Sequence, residues 1–157
     1  MKQEEILQQV KDGRLSIEEA STLLKGIEDI GYAAIDLSRQ KRNGFPEIIY
    51  GEGKNIEQLI GIITAMNEHK TAILATRVNA EKGEALKQTF PEGVYEPLGR
   101  TFVLNPIAPK HEHYIAVVTA GTSDIPVAEE AAVTAETFGN HVKRIYDVGV
   151  AGIHRLF

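Results

Sequence analysis

Cysteine is absent from all 157 residues. That excludes disulfides, thiolate metal sites and a thiol nucleophile within this chain. No apolar run approaches the ~18 residues of a membrane-spanning helix. Basic charge is scarce too: 17 Lys and Arg stand against 22 Asp and Glu, a net charge of -5. Nonspecific nucleic-acid binding needs a basic face, so neither nucleic acid nor membrane is expected as a partner. Residues 1–13 are charged and lack the apolar core of an export signal, so the expected location is cytoplasmic. There is no fixed-period repeat and no low-complexity tract. What is present is ordinary for a globular protein: 43% hydrophobic and 25% charged residues. The length suits one domain or two small ones.

Residues 1–29 read as a helical hairpin. Ile6 and Val10 are four apart, Gly13 punctuates, and Ser16 with Glu19 forms a capping box ahead of Ala20, Leu23 and Leu24. Short strands are expected at 32–36 and 47–50, separated by a basic segment and Gly44-Phe45-Pro46. Ile56, Leu59, Ile60, Ile63 and Met66 form an apolar stripe on a helix at about 55–68. A strand over 71–76, a helix over 80–88 and strands near 94–95 and 101–104 follow. Alternation of this kind predicts an α/β layer. Residues 105–113 hold two prolines and polar side chains, as a linker does. The expected organisation is 1–29 helices, 30–112 a small α/β domain, and 113–157 the first strand–helix–strand of a further one.

The most informative stretch is Tyr114–Ala131. Tyr114 to Thr119 is an unbroken apolar run, the pattern of a strand buried on both faces. It ends in Ala120-Gly121-Thr122-Ser123-Asp124, and a helix follows with Pro126 in its first turn. Strand, glycine turn and helix N-terminus together present backbone N–H groups to an anion. Gly121 permits close ligand approach, and the Thr122 and Ser123 hydroxyls suit a phosphate. Asp124 suits a ribose hydroxyl or a metal; alternatively Ser123 and Asp124 only cap the helix. A strand at 142–147 leads to His154 and Arg155. That is the carboxyl edge of the sheet, where α/β proteins hold ligands. There His154 is either an acid–base or ring-orienting group or an ordinary surface histidine.

A third cluster holds Asp36, Arg39, Lys41, Arg42, Glu47, Tyr50 and Lys54. Arg39 and Arg42, three apart, would share one side of a helix and clamp a phosphate; the alternative is a solvated basic loop. Gly51-Glu52-Gly53-Lys54 is not a Walker A loop. His111 and His113 alternate as metal ligands do but lack a third ligand, and no metal site is expected from them. One strand–helix–strand unit buries too little surface to stand alone. The missing strands come from the N-terminal half, from another subunit or from further chain, and the expectation is that the chain is a portion of a longer one.

TAGTSDIPVAEEA followed by DVGVAGIHRLF resembles the opening of a PurE-type domain, the aminoimidazole ribotide carboxylase/mutase family. There a glycine-serine-aspartate turn binds a ribose phosphate and a histidine before an arginine touches the base. The matching positions are Gly121, Ser123, Asp124, His154 and Arg155. The block RQKRNGFPEIIYGEGK narrows the resemblance, which covers essentially the whole chain, to the LarB family. These are the pyridinium-3,5-biscarboxylate mononucleotide synthases of nickel-pincer cofactor assembly. The resemblance implies a flavodoxin-like parallel sheet and an oligomer, octameric in PurE-like proteins. It also implies carboxylation of nicotinate adenine dinucleotide with carbon dioxide or bicarbonate, phosphoanhydride hydrolysis, release of AMP, and a magnesium ion. A cysteine thiolate would add to the electron-poor pyridinium ring to make a carbon that can attack. This chain lacks that thiol. His154, Arg155 and Asp124 are the implied catalytic positions. Gly121, Thr122, Ser123, Asp36, Arg39, Arg42, Tyr50 and Lys54 are the expected nucleotide and phosphate contacts. Two alternatives stand beside this reading: a purine-pathway carboxylase, and a nucleotide-binding module without turnover.

Overall fold

The computed structural model describes residues 3–37, 39, 44–149 and 154. The chain divides into two compact units, Met1–Glu47 and Ile48–Phe157.

In the first unit, α1 (Gln3–Lys11) and α2 (Ile17–Lys25) bury Ile6 and Ala20. The capping box forms as the sequence implies. Ser16 Oγ accepts from the Glu19 N–H at 3.1 Å, and the Glu19 carboxylate accepts from the Ser16 N–H at 2.8 Å. The expected helix through residue 29 stops at Lys25 instead. Gly26 takes φ 69° and ψ 34°, and its N–H turns back to the Thr22 and Leu23 carbonyls. A left-handed glycine closes a helix because it carries no Cβ to clash. Strand β1 (Ile27–Asp29) then pairs antiparallel with β2 (Ala34–Asp36).

The second unit runs β3 (Ile48–Tyr50), α3 (Ile56–Glu68), β4 (Ile73–Thr76), α4 (Ala80–Thr89), β5 (Val94–Glu96) and β6 (Thr101–Leu104). Its sheet has the order β3-β4-β6-β5. The β3–β4 pair is parallel and the other two are antiparallel. Ile73, Leu74 and Ala75 are all fully buried. Successive strand residues point to opposite faces, so this sheet is covered on both. Helices α3 and α4 pack together on it, and α5 (Ile125–Thr137) also touches β4 and β6.

On its other side α5 packs against a separate parallel pair, β7 (Tyr114–Val118) and β8 (His141–Ile145). The 105–113 segment lies inside this unit, tied to α5 by a 2.9 Å bond from the Ile107 N–H to the Thr137 carbonyl. Helix α5 ends with Gly139 at φ 84° and the Asn140 N–H on the Ala135 carbonyl.

One expectation is overturned. Strand β7 is not buried on both faces: Tyr114, Ile115 and Val118 are 61%, 44% and 54% exposed. Its only strand neighbour among the described residues is β8, and one helix cannot cover both faces of a two-stranded sheet. No helix among the described residues is long and apolar enough to cross a membrane.

Candidate functional site

The Gly121 turn is a short 3-10 segment, Thr122–Asp124, that runs directly into α5. Its glycine differs from the expectation. Gly121 sits at φ -126°, ψ 161°, ordinary extended backbone. A Cβ there would meet nothing nearer than Asp124 Oδ2 at 3.7 Å. Nor is every N–H of the turn open to a ligand, because the Gly121 N–H donates to Asp124 Oδ2 at 3.3 Å. The protein's own carboxylate thus occupies part of the anion cradle. Thr122 and Ser123 are exposed, and their hydroxyls make no hydrogen bond among the described residues. They are the donors this turn holds ready.

The strand ends behind the turn are stitched together. The Thr119 N–H donates to the Ile145 carbonyl at 3.1 Å, the Val148 N–H to the Thr119 carbonyl at 3.1 Å, and the Asp147 N–H to Thr119 Oγ1 at 3.2 Å. Asp147 adopts φ 58°, which turns the chain sharply after β8. Gly149 packs against Ala120 so closely that a Cβ would land on the Ala120 carbonyl, 2.9 Å from its carbon. Thr119, Asp147 and Gly149 were not singled out from the sequence. Only Gly149 left a trace there, as a glycine after a strand. His154 is exposed, and no hydrogen bond among the described residues joins it to the turn. Arg155 and Arg42 lie outside the described residues.

The remaining positions fall elsewhere. Tyr50 closes β3, is 55% exposed and donates its hydroxyl to Glu52. That bond pushes the Tyr50 hydroxyl pKa up. Lys54 Nζ donates to the Tyr50 carbonyl at 2.9 Å. Tyr50 and Lys54 therefore stand at the carboxyl edge of β3, and nothing among the described residues bonds them to Gly121–Asp124. In the first unit, Asp36 ends β2, and its N–H donates to Glu47 Oε2 at 2.9 Å. Arg39 is half-buried, and its Nε is buried with no hydrogen-bond partner among the described residues. A buried orphan donor is uncommon and costly, so it marks Arg39 as a place for an acceptor.

One cavity, of about 720 Å³, contains none of these residues. Val94, Val103, Ile107, Val133 and Val142 line it, with Arg144 at its polar side. Arg144 reaches both Glu129 (2.8 Å) and Glu136 (2.6 Å), and Tyr146 donates to Glu129 at 2.8 Å. Its charges are paired internally, as in a structural network. Among the described residues no group of three or more His, Cys, Asp or Glu is placed to hold a metal ion.

The helices and sheets together define an α/β protein. Residues 27–106 match the LarB/PurE-like N-terminal domain, half of the chain, and the chain belongs to that family. It is also 34% identical over 168 aligned positions to an uncharacterized protein of Methanocaldococcus jannaschii. That alignment takes in 98% of this chain and 64% of the relative. The chain thus spans less than two thirds of the relative's length.

Proposed function

We propose that this chain contributes the nucleotide-holding portion of a carboxylating synthase acting on nicotinate adenine dinucleotide. The product is the pyridinium-3,5-biscarboxylate mononucleotide, with AMP released. The observation that carries the reading is the knitted carboxyl edge of β7 and β8. Thr119, Asp147 and Gly149 hold the two strand exits together. This fixes the Thr122–Asp124 turn beside the strand that leads on to His154.

In this reading the Thr122 and Ser123 hydroxyls donate to the ribose phosphate. Asp124 releases the Gly121 N–H as the phosphate arrives, because a phosphate oxygen and the carboxylate compete for one donor. His154 and Arg155 face the pyridine ring and the incoming carbon dioxide. Magnesium belongs to the ligand, carried on its phosphates. The thiol that would add to the ring is not in this chain, so binding rather than turnover is expected of the 157 residues alone. The working enzyme is a homo-oligomer.

Differential thermal denaturation of the purified chain tests the reading, since a ligand that binds only the folded state raises its melting temperature. Nicotinate adenine dinucleotide should stabilise it and Ser123→Ala should remove most of the shift. Stabilisation by aminoimidazole ribotide alone would transfer the chain to purine chemistry. No shift with either would leave the reading without support.

A further inference from the structure

Three loops meet at the carboxyl edge of β3 and β4. The first is residues 50–54. It lies against the exit of β4, because the Gly51 N–H donates to the Thr76 carbonyl at 2.8 Å. The contact is close enough that a Cβ on Gly51 would stand 2.8 Å from that oxygen. The second is the β4 exit itself, at Arg77. It is joined to the third, the entry to β6, by a 2.8 Å bond from the Val78 N–H to the Arg100 carbonyl. The β6 entry is rigid. The Leu98 and Gly99 N–H groups both donate to the Glu96 carboxylate, and Gly99 packs on α5 with no room for a Cβ.

Three cations belong to this edge, one from the first turn of α4 and one from each of the other two loops. Lys82 Nζ donates to the Gly51 carbonyl at 2.9 Å and the Glu52 carbonyl at 3.1 Å, which leaves one of its three N–H groups. Arg77 pairs with Glu130 through Nε at 3.0 Å, which leaves its two terminal nitrogens. Arg100 is half-buried, and its guanidinium has no hydrogen bond or ion pair among the described residues. Arg77 and Arg100 are held at φ 55° and 53°, a strained conformation for a side chain of that size. The helices α3 and α4 begin directly after β3 and β4, so their N-terminal ends add positive potential at the same edge.

We propose that Arg100, with the free nitrogens of Arg77 and Lys82, forms an anion site at this edge that takes a phosphate or pyrophosphate group. That the group belongs to a nucleotide rests on the preceding reading; the anion site does not. Glu52 stands beside this place: its backbone carbonyl accepts from Lys82 Nζ at 3.1 Å and its carboxylate accepts from the Tyr50 hydroxyl. Its carboxyl is held below the usual range, first by the Tyr50 hydroxyl and then, against a little burial, by Arg100, Arg77 and Lys82. An incoming anion displaces Glu52, whose side chain is exposed and free to swing into solvent.

Calorimetric titration of the chain with inorganic pyrophosphate tests the site. Binding should weaken steeply with added salt. Arg100→Gln should weaken it at least tenfold, Arg100→Lys by less, and Glu52→Gln should tighten it severalfold. No pyrophosphate binding, or binding that Arg100→Gln leaves unchanged in a variant with the wild-type circular dichroism spectrum, overturns the proposal. The same titration with nicotinate adenine dinucleotide separates the two readings. Pyrophosphate binding lost in Arg100→Gln while the dinucleotide never binds supports the anion site and removes the function proposed above. Dinucleotide binding together with pyrophosphate binding that Arg100→Gln leaves unchanged overturns the site and leaves that function standing.

Discussion

Replacing Gly149 with alanine tests the stitched edge directly. The added methyl would stand against the Ala120 carbonyl, 2.9 Å from its carbon, where real side-chain carbons are not found. The 147–149 loop has to withdraw by a large fraction of an ångström. That withdrawal pulls on two bonds, Val148 N–H to the Thr119 carbonyl and Asp147 N–H to Thr119 Oγ1. Each is worth about 0.5–1.5 kcal/mol net, so the expected loss is about 1–3 kcal/mol. With a urea slope of about 2 kcal/mol/M, a loss near 2 kcal/mol lowers the unfolding midpoint by about 1 M. Urea unfolding followed by circular dichroism reads this shift. Gly121→Ala is the control, because a Cβ there finds ordinary contacts only and the midpoint should hold within error. A Gly149→Ala midpoint equal to wild type, at unchanged slope, refutes the stitched edge. So would a Gly121→Ala loss as large as the Gly149→Ala loss.

Arg144→Met leaves the buried Glu129 carboxylate without its strongest partner, and a loss of about 1–3 kcal/mol is expected in the same measurement. The pH dependence should change with it. Arg144, opposed by burial and helped by Tyr146, holds the Glu129 pKa below its ordinary 4.5. A depressed carboxyl pKa stabilises the fold above the unfolded value, and that stability is lost as pH falls through the folded one. Wild type should therefore lose melting temperature below about pH 4.5, and Arg144→Met should lose less. The Tyr146 hydroxyl, raised by burial and by its bond to Glu129, should ionise near pH 12 in a spectrophotometric titration; ionisation near 10 would contradict the network. Gly51→Ala presses a methyl on the Thr76 carbonyl and should destabilise by about 1–2 kcal/mol, a cost absent at Gly53, where nothing lies within 4 Å.

Much of the local structure was legible. The apolar stripe of α3 marked its length, and Ser16 with Glu19 marked the start of α2, because period and capping are chemistry between near neighbours. The stripe named Ile56 and Ile60, which are half-buried, and missed Ile62 and Ala65, which are buried, since α4 packs beside α3 and widens the covered face. Helix α2 was read too long because Gly26 looked like one more residue of a helical stretch. Only the pairing of β1 with β2 makes it a stop. Strand β7 was read as doubly buried from its unbroken apolar run. A run of side chains says that cover is wanted, not that it is present.

The candidate site divides in the same way. Gly121, Thr122, Ser123 and Asp124 were singled out because strand, glycine turn and helix start are contiguous in the chain, and Tyr50 and Lys54 because they close a charged and polar stretch that begins at Asp36. Thr119 with Asp147, Gly149 with Ala120, and Arg77 with Arg100 come from segments 23 to 29 residues apart, and no local pattern pairs them. By itself the sequence determined most of the elements, the capping box of α2, the α/β class, the family and the lack of a thiol, all set by composition or short-range spacing. Tertiary structure alone decided which glycine is indispensable, which N–H groups are already taken and which arginines share an edge. Those depend on strand pairing, and strand pairing is a contact between distant parts of the chain.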